Sequence, residues 1–281
     1  MCQHRSTIGA FTSKLKDRED GLMNLVLTQL DNAIGTLTLN RPDKLNSISA
    51  ELAADLIAGL DLMEQAQARV VIIRALPGSK VWSAGFDINE LPLRRRDPLG
   101  YEDALERLLR CVQDFPSPIV AMVEGSVWGG ACDLCLSCDL VICSPDATFA
   151  ITPAKIGLPY NASGLVHFLN VLGPHKAKEM FFTALPLTAQ EAENNHMVNH
   201  VVAADQLEPF TQHIAQAIAR NAPLAVRVLK RQFRLLLSGQ VLASETFESI
   251  QGMRREVYDS ADYEEGIQAF KDKRPPTFKG V

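Results

Sequence analysis

From residue 22 onward, short apolar runs alternate with amphipathic stretches. LMNLVLTQL (22–30) and AIGTLTLN (33–40) switch between apolar and polar residues at period two, and Asp31-Asn32 separates them, which predicts a pair of strands. Arg41-Pro42-Asp43 predicts a turn. Ser49 then caps AELAADLIAGLDLMEQA, whose apolar residues fall at helical spacing. RVVIIRA (69–75) is a β-branched run of the kind buried on both faces of a parallel sheet. The loop LPGSKVWSAGFDINELP leads to a helix over about 101–114. PIVAMVEG (118–125) predicts the next buried strand, residues 129–138 another helix, and DLVICS and TFAIT two short strands. Beyond about 162 the pattern turns mostly helical. Thr188 to Glu191 forms a capping box, VNHVV (198–202) predicts one more strand, and three or four helices fill 205–273 up to Pro275-Pro276. Strand–helix alternation followed by a helical tail predicts an α/β core, residues 23–204, and a C-terminal helical subdomain, 205–281.

Composition narrows the function classes. The 281 residues are 47% hydrophobic and 22% charged, the profile of an ordinary globular protein large enough to bury a substantial core. The net charge of -5 and the lack of a long basic block argue against nucleic-acid or membrane-surface partners. No apolar run approaches the roughly 18–20 residues that span a bilayer. The opening MCQHRSTIGAFTSKLKDREDG lacks the apolar middle of a secretory signal, so residues 1–22 are expected to form a poorly ordered extension, with Met23 an alternative start. The expected compartment is the cytoplasm, where disulfides do not form.

Four of the six cysteines fall in GGACDLCLSCDLVIC, at Cys132, Cys135, Cys138 and Cys143. That spacing superficially matches an iron–sulfur ligand set. The spacers, however, are apolar packing residues without Gly or Pro. On a helix, steps of three spread the thiols over about 120° of one face, which cannot encircle a metal. Core packing is therefore expected, with no metal or redox cofactor.

Two small-residue turns carry the candidate chemistry. In Glu124-Gly125-Ser126-Val127-Trp128-Gly129-Gly130-Ala131, a buried strand runs into a Gly-Gly pair that opens a helix. Such a helix start offers unpaired backbone donors to an oxyanion or phosphate, although a tight strand–helix turn explains the glycines equally well. The other turn is Ser83-Ala84-Gly85-Phe86-Asp87. Donors from two separate turns that meet on one oxygen would form an oxyanion hole.

WSAGFDINEL and EGSVWGGACDL, together with NRPDKLNSIS and FKDKRPPTF, resemble the crotonase (enoyl-CoA hydratase/isomerase) superfamily over roughly residues 24–281. The resemblance implies a spiral of repeated ββα units, a C-terminal helical trimerisation region, and assembly as a homotrimer or a dimer of trimers. It also implies an acyl-CoA thioester ligand whose oxygen is held by the N–H groups of Phe86 and Gly130, with Gly129 shaping the turn. The adenine would meet the backbone of Ser83, Ala84 and Gly85. Lys271, Lys273 or Arg274 would reach the 3′-phosphate, with Lys44 a further candidate, and Thr152 would add a hydroxyl to the pocket.

Hydratases of this superfamily carry two glutamates. Here Asp133 and Pro153 occupy those positions, so the acid/base pair that hydration needs is lacking. TPAKIGLPYN instead resembles the methylmalonyl-CoA decarboxylases of the superfamily, with Tyr160 at their tyrosine. GSVWGGA, the segment around Asp97-Pro98, and residues 250–260 carry the same likeness. The resemblance implies decarboxylation of methylmalonyl-CoA, or a close malonyl-CoA derivative, to propionyl-CoA, with Tyr160 on the substrate carboxylate. Asp133 stands where those enzymes carry Glu, and Phe86 where they carry His. The alternatives are a hydratase or isomerase using Asp133 alone, a non-catalytic acyl-CoA-binding or RNA-associated homologue, and an iron–sulfur protein.

Overall fold

The hairpin β1 (Val26–Asp31) and β2 (Ile34–Leu39) opens the fold. It closes through Asn32 and Ala33, both at positive φ (46° and 68°), as a two-residue turn between right-twisted strands demands. This computed structural model describes residues 24–92, 97, 99–237, 244, 245, 248, 251, 252, 255 and 258–277. The expected extension over 1–22, Pro98, much of the segment 250–260 and Phe278 lie outside the described residues.

Helix α1 (Ala50–Gln65) starts where the Ser49 hydroxyl accepts the Leu52 amide, and it buries Leu52, Leu56, Leu60 and Met63. Three ββα units follow. The first is β3 (Val70–Ala75), β4 (Val81–Ser83) and α2 (Ala104–Asp114). The second is β5 (Ile119–Val123), β6 (Ser126–Trp128) and α3 (Gly130–Ser137). The third is β7 (Leu140–Cys143), β8 (Thr148–Ala150) and α4 (Ala162–Thr183). Then come β9 (Leu187–Thr188), α5 (Ala189–Asn194), β10 (His200–Val201), α6 (Ala204–Arg220), α7 (Pro223–Leu237) and α8 (Ala261–Lys271). Helix α2 begins three residues later than the periodicity suggests, because the Asp103 carboxylate accepts the Gly100 amide at 2.7 Å and holds that stretch as a turn.

Each unit sends its first strand to one sheet and its second to another. The six-stranded sheet has the order β1-β2-β3-β5-β7-β10, parallel except for the first pair. The four-stranded sheet is β4-β6-β8-β9, with only β9 antiparallel. The large sheet is apolar on both faces, as its β-branched runs require. Leu37, Val71, Ile73, Ala121, Val123 and Val141 face the main core with α1 and α2. Ile34, Val70, Ile72, Val120, Met122 and Ile142 face Leu207 and Ala215 of α6. Helix α4 breaks at Gly173 (φ 67°, ψ 169°), and Pro174 restarts it.

Cys132, Cys135, Cys138 and Cys143 are buried in the main core. The Cys132 thiol donates to the Val127 carbonyl and the Cys138 thiol to the Leu134 carbonyl. Burial pushes all four thiols up, that of Cys143 to about 12. Among the described residues no three His, Cys, Asp or Glu side chains gather as a metal site, and no helix is long and apolar enough to cross a membrane.

Candidate active site

The three strands β4, β6 and β8 lie side by side, so the segments that leave them emerge together. Ser83 pairs with Val127, and Trp128 with Ala150. Beyond β4 come Ala84, Gly85 and Phe86; beyond β6 come Gly129 and Gly130; beyond β8 comes Thr152. The turn after β4 is fixed from outside the sheet. The Ser83 hydroxyl donates to the Asn46 carbonyl at 2.7 Å, and the Ala84 amide donates to the Leu45 carbonyl at 2.9 Å. Arg41 bonds Asp87 at 3.0 Å. Burial alone would raise the Asp87 carboxyl, but hydrogen bonds from Asn89 and the Arg41 charge outweigh it and hold that carboxyl below its usual range.

A parallel bridge directs the Phe86 amide. Ile48 donates to the Gly85 carbonyl and accepts from the Asp87 amide, so the intervening Phe86 N–H faces the other way. That way lies α3. A methyl built on Gly85 (φ 85°) would sit 3.1 Å from the Gly130 nitrogen and only 2.3 Å from the Trp128 carbonyl oxygen. One built on Gly130 would sit 3.6 Å from the Phe86 nitrogen. The amides of Phe86 and Gly130 are thus neighbours, in the space that two missing side chains leave open. Gly129 (φ 54°, ψ -125°) is the N-cap of α3, so the Gly130 amide lies in the helix's first turn, where no intrahelical acceptor exists. The Gly129 amide itself is engaged by the Ala150 carbonyl at 2.8 Å. The Thr152 hydroxyl lies 3.7 Å from the position of a methyl on Gly129.

One turn into α3 stands Asp133, fully buried. Its Oδ2 accepts the Tyr160 hydroxyl at 2.9 Å, and its Oδ1 lies 2.7 Å from Nδ1 of His167. Tyr160 is reached from β8 through the one-turn helix Pro153–Ile156, and its ring packs edge-on against Phe168 and Phe181 of α4. Burial, then the charge of Asp133, push the phenol well above its usual range, which makes it a neutral hydrogen-bond donor. Gly164 lets α4 close on this pair, since a methyl there would meet the Tyr160 ring at 2.2 Å and Asp133 Oδ2 at 2.7 Å.

Three groups here have no separate signature in the sequence. Glu106 is an acid on the apolar side of α2, held by Asn161 and Ser163. Burial raises its carboxyl, and the charge of Asp133 adds to that. His167 bridges Asp133 to Gln113, whose Nε2 lies 2.9 Å from His167 Nε2 and donates to Ser137 at 3.1 Å. Burial alone would lower the imidazole, but its hydrogen bond to Asp133 and the charges of Asp133 and Glu106 prevail and raise it. The available signal was positional: Glu106 interrupts the stripe Leu105, Leu108, Leu109, Val112, and His167 lies three residues after Gly164.

The candidates for the distal end of a ligand are more scattered. Lys44 is exposed at the end of the turn whose Leu45 carbonyl holds Ala84. Lys271 and Lys273 are exposed at the end of α8, and Arg274 is taken by Glu265 through two hydrogen bonds. Helix α8 lies against the Pro153–Ile156 turn, where a methyl on Gly266 would strike the Ile156 carbonyl.

This arrangement has close counterparts among known proteins. The methylmalonyl-CoA decarboxylase of Escherichia coli (strain K12) is 46% identical over 249 residues, covering 89% of this chain and 95% of that protein. A solved methylmalonyl-CoA decarboxylase in complex with 2-nitronate-propionyl-CoA superposes with a TM-score of 0.90 at 45% identity, covering 92% of this chain and 100% of that one. The enzyme complexed with 2S-carboxypropyl CoA matches with the same TM-score, identity and coverage. The family model for enoyl-CoA hydratase/isomerase matches residues 29–281. With its ββα repeats and paired turn amides, the chain belongs to the enoyl-CoA hydratase/isomerase (crotonase) family.

Proposed function

We propose that the protein is a carboxy-lyase that converts methylmalonyl-CoA, or a close malonyl-CoA derivative, to propionyl-CoA. The observation that carries this reading is Tyr160, a buried neutral hydroxyl held one turn of helix away from two adjacent backbone amides. The close likeness to methylmalonyl-CoA decarboxylases supports it. Decarboxylation breaks the bond between Cα and the carboxylate. The electron pair moves into a thioester enolate, CO2 departs, and Cα then takes up a proton. No base is needed, and no cofactor is called for, because the thioester carbonyl itself accepts the electrons.

The Phe86 and Gly130 amides form the oxyanion hole on this reading. A donor of that kind typically contributes about 10²–10³ in rate, so the hole supplies much of the barrier reduction. Phe86 contributes backbone alone, which is why the departure from His leaves the hole intact. Tyr160 hydrogen-bonds the substrate carboxylate and holds it out of the thioester plane, so that the breaking bond overlaps the carbonyl π system. Ile151 and Leu158, buried in the same cluster as Tyr160, and its neighbour Pro159 would give that end apolar surface and favour the charge-dispersed transition state. Ala84, Gly85 and Thr152 line the approach. Lys44, Lys271 and Lys273 serve the phosphates, and Ser83, fully buried, fixes the turn.

The test supplies methylmalonyl-CoA, ethylmalonyl-CoA, malonyl-CoA and crotonyl-CoA separately and records CO2 and acyl-CoA masses. CO2 from methylmalonyl-CoA with propionyl-CoA as product is the expected result. Hydration of crotonyl-CoA without CO2 from any malonyl thioester would overturn it.

A further inference from the structure

We propose that His167 balances the charge of Asp133 so that the pocket admits an acyl group bearing its own carboxylate. This rests on the decarboxylase reading and adds a residue that nothing in that chemistry requires. Asp133 and Glu106 are both buried and close enough for the charge of one to act on the other. A malonyl-type substrate brings a third carboxylate to the same place. Without compensation, the first anion would repel the last. It would also hold the single Tyr160 hydrogen, leaving only lone pairs for the substrate.

His167 answers both problems from the side away from Tyr160. Its Nδ1 lies 2.7 Å from Asp133 Oδ1, while Tyr160 uses Oδ2. An imidazolium there makes the Asp133–His167 pair neutral. It also weakens Oδ2 as an acceptor, so the phenol hydrogen can turn to the substrate. The groups acting on the ring are Asp133 from α3 and Gln113 and Glu106 from α2, with Ser137 behind Gln113 and Tyr160 on the far oxygen of Asp133. Gln113 suits either charge state, because its amide can donate through Nε2 to a neutral ring or accept through Oε1 from a charged one. The two acids hold the imidazole above its usual range, which favours the charged form. His167 is a positioning residue in this role, acting through Asp133.

The decisive comparison uses two CoA thioethers that differ in one carboxylate: propyl-CoA and the unreactive 2S-carboxypropyl-CoA. Their Kd values are measured on the full-length wild type, His167→Gln, and His167→Gln combined with Asp133→Asn. His167→Gln should weaken carboxypropyl-CoA about tenfold or more and leave propyl-CoA within about twofold. Removing the Asp133 charge as well should restore most of the carboxypropyl-CoA affinity. Equal weakening of both ligands, or of neither, overturns the proposal. Should the variants fail to fold, the wild type decides alone. Its preference for carboxypropyl-CoA over propyl-CoA should fall as pH rises through the imidazole titration, and a flat ratio overturns the proposal. A wild type that releases no CO2 from methylmalonyl-CoA defeats the decarboxylase reading itself, whereas an active wild type with uniform losses in the variants defeats only the role of His167.

Discussion

Tyr160 carries one phenolic hydrogen, and Asp133 accepts it at 2.9 Å. Tyr160→Phe keeps the ring packing against Phe168 and Phe181 and deletes only the donor. Turnover should drop about 10²-fold, in line with loss of one positioned donor, while propionyl-CoA binding stays near normal. Steady-state kinetics beside a binding isotherm checks this, and an active variant would remove Tyr160 from the chemistry. Two groups of this cluster also make stability depend on pH. His167 titrates higher in the fold than its ordinary 6.5, so its contribution is full below that value and is lost as pH rises through the folded value. Glu106 titrates higher than its ordinary 4.5, so above that value the fold increasingly holds an anion it disfavours. Both trends have the same sign. Denaturant midpoints should fall from mildly acidic to mildly alkaline pH, and His167→Gln should flatten the upper part of that decline.

At the scale of elements, the approach of α4 to α3 sets the geometry. Gly164→Ala places a methyl 2.2 Å from the Tyr160 ring and 2.7 Å from Asp133. Overpacking of this kind costs about 1–3 kcal/mol, and it should displace Tyr160 as well, so CO2 release should fall further than the melting temperature implies. A variant with normal turnover would mean that α4 can shift without disturbing the site. Much of this layer is legible in the sequence. The β-branched runs announce the parallel sheet, Ser49 and Thr188 cap the helices they were expected to cap, and the turns at Gly85 and Gly129 fall where the small residues do. What the sequence hides are contacts between distant segments. Glu106 meets Asn161 across 55 positions, and Asp133 meets His167 across 34. A lone acid in an apolar stripe and a lone His on a long helix have no local signature, because their partners come from other ββα units. The cysteines show the reverse: a ligand-like spacing that folding disperses along one helix and one strand.

Over the whole molecule, α7 is tied to the core through Lys230, which donates to the Val112 and Ser117 carbonyls and to Asp139. Leu224, Val228, Leu229, Phe233, Leu236 and Leu237 form a stripe along it that the single chain leaves exposed, and Phe182 and Leu185 are exposed as well. We propose that this surface joins copies into the expected trimer or dimer of trimers. Light scattering should give three or six times the mass of one chain, and Phe233→Asp should lower it; a wild-type monomer at working concentration would rule the assembly out. The proposed site is divided differently. Its two oxygen-holding amides come from the same place in successive ββα units, each just past the second strand, and β4 and β6 are neighbours in one sheet. They amount to one bond made from two equivalent places in the fold, with no side chain to lose. Substitution can therefore rewrite the acids, the imidazole and the phenol around that oxygen while the charge-holding base persists. Drift in this pocket would change which reaction the protein performs before it abolished reactivity altogether.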